Sequence, residues 1–286
     1  MVKQIKGAKY LYFSSLIVVF TLFILGTFLD LNISKAIVVK PNAFTIYFET
    51  FGWMVGYSFV PIATLVLFYN QLEEIRFNVG LKVVSLLLSI GGGSFIIKNG
   101  LKGLVKRGVA NFSNTTLLSL LIASAITAIL IFALKEFSKK HYRELIMLGI
   151  CAIYFFAVYA IFVEGVFKPL VNRFRFDDME GIYDNFTPWY VRGNGGSSFP
   201  SGHTAVTSAM LFICCIPDIF KNVKWKRYIF FAISLVYVSL MGLARIMIGR
   251  HYLTDVTFSM LLMGGALALL INSRYYNKML NKFVKG

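Results

Sequence analysis

Residues 145–167 read LIMLGICAIYFFAVYAIFVEGVF, an almost unbroken apolar run followed at once by Lys168. A helix needs about 20 such residues to cross the hydrocarbon core of a bilayer, so this stretch predicts a membrane span. Seven further runs have the same character: 11–29, 51–69, 81–97, 116–134, 204–220, 228–248 and 254–271. In lipid each span satisfies its own backbone hydrogen bonds and packs against its neighbours. The expected fold is therefore an all-α, polytopic transmembrane helix bundle of about eight spans in a single membrane domain covering 1–286. Six or seven spans are the alternative. The runs at 81–97 and 204–220 are short, and Gly91-Gly92-Gly93 interrupts the former, which predicts a re-entrant or tilted segment there.

Composition agrees with this class. The chain is 57% hydrophobic and 15% charged, with a mean hydropathy of +0.70, whereas a soluble domain carries about 25% charged residues. The net charge is +16, from 29 Lys and Arg against 13 Asp and Glu. In a soluble protein that excess would suggest nucleic acid. Here the basic residues lie in loops between spans, where they set topology and meet anionic headgroups, so nucleic acid is excluded as a partner. Cys151, Cys214 and Cys215 fall inside apolar runs without metal-ligand spacing and read as small core residues. The run 11–29 follows Lys3, Lys6 and Lys9 and has no small-x-small cleavage site after it, so it is expected to be a retained first span.

Orientation follows from Lys and Arg placement. With the N-terminus inside, inner segments hold 16 basic residues (among them Arg76, Lys221, Lys224, Lys226, Arg227 and Lys285) and outer segments 11. Both termini are then cytoplasmic. The loop 168–203 and the turn 249–253 fall on the outer face, and these segments hold the unusual polar residues.

Three clusters carry the chemistry. Pro200-Ser201-Gly202-His203 precedes an apolar run and fits a helix start. Free N–H groups at such an end favour an anion, phosphate above all, with His203 at its mouth. Arg245, His251 and Asp255 form the second cluster; His251 and Asp255, four apart, share a helix face. A carboxylate beside an imidazole sets its tautomer and stabilises the cation formed when the other nitrogen attacks. Lys168 and Arg175 form the third, two cations spaced to clamp the oxygens of one phosphate. Each cluster alone also has a plain reading, as a cap, an interfacial pair or a cationic flank. Together they share one predicted face.

The order Lys168-x6-Arg175, then Pro-Ser-Gly-His at 200–203, then Arg245-x5-His251-x3-Asp255 resembles the type-2 phosphatidic acid phosphatase superfamily of membrane lipid phosphatases, including phosphatidylglycerophosphatases and undecaprenyl-diphosphatases. That family's pattern reads K-x6-R-P, P-S-G-H and S-R-x5-H-x3-D. Phe176 stands here in place of its Pro and Ala244 in place of its Ser; neither departure removes a charged group. The resemblance covers roughly 145–271, a phosphatase-like catalytic core, and leaves 1–144 as N-terminal spans without an assigned role.

What the resemblance implies agrees with the residues themselves. His251 attacks phosphorus and forms a phosphohistidine, Asp255 orients it, and His203 is the general acid. Lys168, Arg175 and Arg245, with N–H groups near Ser201 and Gly202, hold the phosphoryl oxygens. No metal or other cofactor is expected, because cations and a helix N-terminus supply the stabilisation. The implied substrate is a phospholipid or polyprenyl phosphate: polyprenyl diphosphate, phosphatidylglycerophosphate or phosphatidic acid. The Lys-rich composition suits a bacterial plasma membrane.

Other features fit less directly. Asp177, Asp178, Glu180 and Asp184 are expected to be a solvated acidic loop rather than a metal site. Phe176, Tyr183, Phe186, Trp189, Tyr190 and Phe199 form an interfacial aromatic belt or line a lipid groove. Lys98, Lys102 and Lys106 recur every four residues and would gather anionic headgroups if they face outside. A phosphotransferase passing the same phosphate to another hydroxyl is the second enzyme reading. A transporter or channel is the alternative of another class, kept open by the glycine interruption.

Overall fold

A computed structural model describes residues 2–69, 78–179, 182–220, 223 and 227–285, without the side chains of 2–9, 78, 283 and 285. Arg76, Lys221, Lys224, Lys226 and Glu180 lie outside the described residues. So do the side chains of Lys3, Lys6, Lys9 and Lys285.

Among the described residues, eight helices are long and apolar enough to cross a membrane: α1 (Tyr10–Ile37), α2 (Ala43–Tyr69), α3 (Val79–Lys106), α4 (Thr115–Ala133), α5 (Tyr142–Val171), α6 (Gly202–Ile219), α7 (Arg227–Met247) and α8 (Leu253–Asn272). No strand occurs among the described residues. The all-α polytopic bundle is thus the observed architecture. Side chains that read as hydrophobic all round are what such helices need, since their outer faces meet lipid rather than water. Phe20, Phe28, Leu87, Ile129, Phe132 and Leu269 are exposed accordingly.

The short run 204–220 is the centre of the molecule. In α6, 72% of the best apolar window is buried, against 17% in α3 and in α4. It packs on α5, α7 and α8, while α1 covers α7 and α8 from outside. α2 lies against α3 and α5, and α4 leans on α3 at the periphery. Met147, Cys151, Phe155, Cys214, Cys215, Met241 and Met263 fill the core, and the three cysteines are free and buried.

The glycine interruption is not one. α3 runs continuously through Gly91-Gly92-Gly93, and neither a re-entrant loop nor a break occurs. Gly92 faces Pro61 of α2 and Gly93 faces Ala123 of α4, so small residues let neighbouring backbones approach, as membrane helices require without a hydrophobic drive between them. Ser89 with Thr127 (3.5 Å) and Ser94 with Ser119 (3.0 Å) add hydrogen bonds across the same seam. Helicity also continues beyond the apolar run, so Lys98, Lys102 and Lys106 ride on the last turns of α3. Lys168, expected just past the span, belongs to the final turn of α5.

Widened, π-type turns occur at Phe48–Gly52 in α2 and Tyr159–Phe167 in α5. Such turns recur at functional sites. Here each carries an acidic residue, Glu49 and Glu164, that pairs with a cation discussed below.

Candidate active site

The ends of α1, α3, α5 and α7 and the starts of α2, α6 and α8 meet at one end of the bundle, where Lys168, His203, Arg245 and Asp255 all fall. At the end of α5, Lys168 Nζ donates to Glu164 Oε1 at 2.6 Å. The Tyr159 hydroxyl donates to the same oxygen at 3.0 Å and is itself 2.8 Å from the Tyr57 hydroxyl. Asn172 then takes a left-handed conformation (φ 53°), which asparagine tolerates better than most residues, and ends the helix.

Beyond that turn the chain lies beside residues 193–198. The Gly193 N–H donates to Val171 O (2.8 Å), Gly196 N–H to Asn172 O (3.0 Å) and Ser198 N–H to Arg173 O (2.9 Å). A Cβ on Gly196 would sit 1.9 Å from the Arg173 carbonyl oxygen, so only glycine permits this approach. The pairing brings Arg175 to Ser197, with Nη2 donating to its Oγ at 3.1 Å. It also aims the Ser198 carbonyl at His251.

Ser201 caps α6. Its Oγ accepts the Thr204 N–H at 3.3 Å, and its own N–H donates to the Asp255 backbone oxygen at 3.0 Å. The Ser259 hydroxyl donates to Ser201 O at 3.0 Å, tying the starts of α6 and α8 together. A Cβ on Gly202 would meet Glu164 Oε1 at 2.7 Å and Lys168 Nζ at 2.9 Å, so the ammonium abuts the first turn of α6. His203 stands edge-on to Trp53 (6.3 Å) within electrostatic reach of Arg245, His251, Lys168 and Arg175.

The turn between α7 and α8 folds back on itself. The Arg245 carbonyl accepts the N–H groups of Arg250 (3.1 Å) and His251 (3.2 Å), and Gly249 takes φ 77° to allow it. His251 Nδ1 lies 2.7 Å from the Ser198 carbonyl oxygen. A carbonyl only accepts, so Nδ1 carries the proton and Nε2 carries the lone pair. Burial holds His251 well below the ordinary imidazole pKa, at about 4. The Asp255 carboxylate opposes the shift and the Arg245 charge adds to it. The imidazole is therefore neutral, and nucleophilic at Nε2, near neutral pH.

The geometry refines the expectation for Asp255. The imidazole's close partner is the Ser198 carbonyl, and Asp255 Oδ2 is 3.5 Å from Nδ1. Asp255 instead accepts from Arg173 Nη1 (2.9 Å), the Tyr252 N–H (2.9 Å) and the Ser198 hydroxyl. It acts on His251 through charge and through the frame that holds it.

Arg245 is 3% exposed, faces Glu49 Oε1 at 3.7 Å, and leaves Nε and Nη1 without a hydrogen-bond partner among the described residues. Arg175 Nε is likewise unpartnered there. Buried guanidinium donors are costly to leave unmade, so these are donors disposed toward an anion. All eight residues singled out from the sequence (Lys168, Arg175, Ser201, Gly202, His203, Arg245, His251 and Asp255) thus sit at this one end of the bundle.

Several neighbours had no sequence signal strong enough to single them out. Asp30 from α1 and Arg173 join the Asp255 network. Glu49 from α2 faces Arg107, Arg245 and Arg250. Of the basic residues around 98–107, Arg107 reaches this ion-pair cluster. Asp177 and Asp178 are not simply solvated, since both pair with Arg250 (3.1 and 3.5 Å), and burial raises the Asp177 pKa. Asp184 is exposed, as expected of a solvated loop. No group of three His, Cys, Asp or Glu suited to a metal occurs among the described residues. The loop aromatics pack on one another and on the bundle: Trp189 stacks on Phe199 and donates to Thr27 of α1 (3.1 Å), Phe186 meets Tyr252, and Phe176 stacks on Tyr183, while Tyr190 is exposed. They fasten the loop to α1 and α8.

Fold and site together define a multi-pass helical membrane protein with a cationic, histidine-containing site at one end. Residues 147–279 match the PAP2 superfamily, to which this part of the chain is similar. The match supports a phosphatase-type function. The match leaves α1 to α4 outside. No curated protein and no solved structure matches the chain.

Proposed function

We propose that the chain hydrolyses a lipid phosphate or diphosphate at the outer face of a bacterial plasma membrane through a phosphohistidine on His251. The observation that carries this reading is the pairing of a neutral His251, with Nδ1 committed to the Ser198 carbonyl, and a buried Arg245 with unused donors. A nucleophile and an anion-binding group thus stand side by side.

In the first step the Nε2 lone pair of His251 attacks phosphorus as the bond to the leaving oxygen breaks. His203 in its protonated form gives that oxygen a proton. In the second step neutral His203 takes a proton from water, the oxygen attacks phosphorus, and the P–N bond breaks to return His251 neutral. Lys168, Arg175 and Arg245, with the N–H groups at the start of α6, carry the charge that develops on the equatorial oxygens. These groups do what a metal ion would, so turnover is expected to persist in EDTA. Polyprenyl diphosphate, phosphatidylglycerophosphate and phosphatidic acid are the substrate candidates.

Two observations favour this over a transporter. The ionisable cluster lies at one end of the bundle, whereas transport sites sit near the midplane at broken helices, and α3 is unbroken. The test is phosphate release by purified protein from these lipids with EDTA present. Release that disappears in His251→Ala and His203→Ala supports the reading. Variants that fold and keep the wild-type rate refute it, and phosphate appearing on an added alcohol instead of in solution would make the enzyme a phosphotransferase.

A further inference from the structure

The Arg173 guanidinium is buried between two carboxylates. Its Nη1 donates to Asp255 Oδ1 (2.9 Å) and Thr254 Oγ1 (2.9 Å), and its Nη2 donates to Asp30 Oδ2 (2.9 Å). One face stacks on Tyr252 at 3.9 Å. Asp30 also accepts the Thr254 N–H (3.0 Å) and the Thr254 hydroxyl. Arg173, Asp30, Thr254 and Asp255 are each at most 3% exposed. A carboxylate inside a span is costly, and this one is met there by a guanidinium, an N–H and a hydroxyl.

We infer that Asp30, supplied by α1 from outside the family-matched segment, is a positioning residue for the His251–Asp255 pair, acting through Arg173. The argument rests on charge. Arg173 alone beside Asp255 would cancel the carboxylate that His251 needs when its ring becomes cationic on phosphorylation. Asp30 offsets the guanidinium from the other side. With both carboxylates ionised the trio carries one net negative charge, which is available to the imidazole 3.5 Å away. Asp30 also holds the first turn of α8 through Thr254, and so fixes where Asp255 projects. The inference deepens the phosphohistidine reading and rests on it for its kinetic part alone.

Asp30→Asn keeps the shape and an acceptor for the Thr254 N–H but removes the charge. Expected is a kcat lowered about 10- to 100-fold with KM changed less than about 3-fold, because the charge matters only once His251 turns cationic. Thr254→Val, which leaves every charge in place and frees the guanidinium on one side, is expected to lower kcat several-fold. A second readout needs no turnover: ¹⁵N-histidine NMR of the whole protein in detergent. The His251 Nδ1–H signal is expected to shift in both variants. If Asp30→Asn does not fold, Thr254→Val carries the test by both readouts. Folded variants with wild-type kcat and an unmoved His251 signal, differing only in melting temperature, would reduce Asp30 to an anchor for α1 and overturn the inference. Wild-type protein inactive on every lipid would refute the proposed function while leaving the NMR comparison to decide the positioning role.

Discussion

Arg173 and Arg245 are both buried at the same end of the bundle, and they have opposite surroundings. Arg173 commits both terminal nitrogens to Asp30, Asp255 and Thr254 and rests on an aromatic ring. Arg245 has one carboxylate, at 3.7 Å, and two nitrogens without a hydrogen-bond partner among the described residues. The same residue type at the same depth therefore does two jobs. Where both terminal nitrogens of a guanidinium are committed to internal partners, as in Arg173 with only Nε unpartnered among the described residues, it is part of the frame; where a terminal nitrogen is spare as well, it is disposed toward a ligand. A buried ion pair adds little net stability compared with an apolar replacement, but breaking one is expensive. The two sites should consequently fail in different ways.

The largest effect is expected at Arg245. Arg245→Ala should lower kcat/KM about 10²- to 10³-fold, the range for removing one preorganised donor to a transition-state oxygen, with yield and melting behaviour near wild type. A folding defect with normal kinetics in the folded fraction would erase the contrast. Arg173→Met should instead leave Asp30 and Asp255 buried and uncompensated, a loss of about 3–5 kcal/mol. It should be seen as poor recovery and early melting in detergent before any kinetics are measured. Stable Arg173→Met protein with wild-type melting would break the assignment of frame and ligand site.

The proposed nucleophile, His251, offers a pH test. Because burial lowers the His251 pKa from 6.5 to about 4, the ring stays neutral as pH falls from 7 to 5. It is lost as a nucleophile only below about 4. NMR titration of His251 should show one midpoint near 4, and a midpoint near 6.5 would mean the ring is wet. The smallest effect is expected at Glu49, the carboxylate beside Arg245. Glu49→Gln removes a partly exposed internal competitor for the substrate anion, so KM should fall a few-fold in low salt and the gain should shrink in high salt. An increase in KM would mean that Glu49 holds the arginines rather than competing.

The spans and the motif residues were legible because charges and histidines are rare in an apolar chain, and rarity in lipid has a price that function must justify. Lys168, Arg175, His203, Arg245, His251 and Asp255 could be read as three short clusters, each local in sequence. Asp30 and Glu49 were not legible for the opposite reason. Each sits at the edge of an apolar run, where a carboxylate reads as interfacial, and its partners lie as far as 224 residues away. Arg173 was hidden by proximity, since Arg175 two positions on satisfied the spacing. The glycines at 91–93 misled because glycine marks a break by local propensity, whereas between membrane helices it is room for a neighbour's backbone.

The central claim is that His251 carries the phosphoryl group. Purified protein would be quenched in denaturant within milliseconds of mixing with ³²P-labelled lipid phosphate, digested, and mapped by mass spectrometry. The account predicts an acid-labile, alkali-stable phosphate on the peptide containing His251, absent from His251→Ala. Turnover without any such label, or label on another residue that survives His251→Ala, would contradict it.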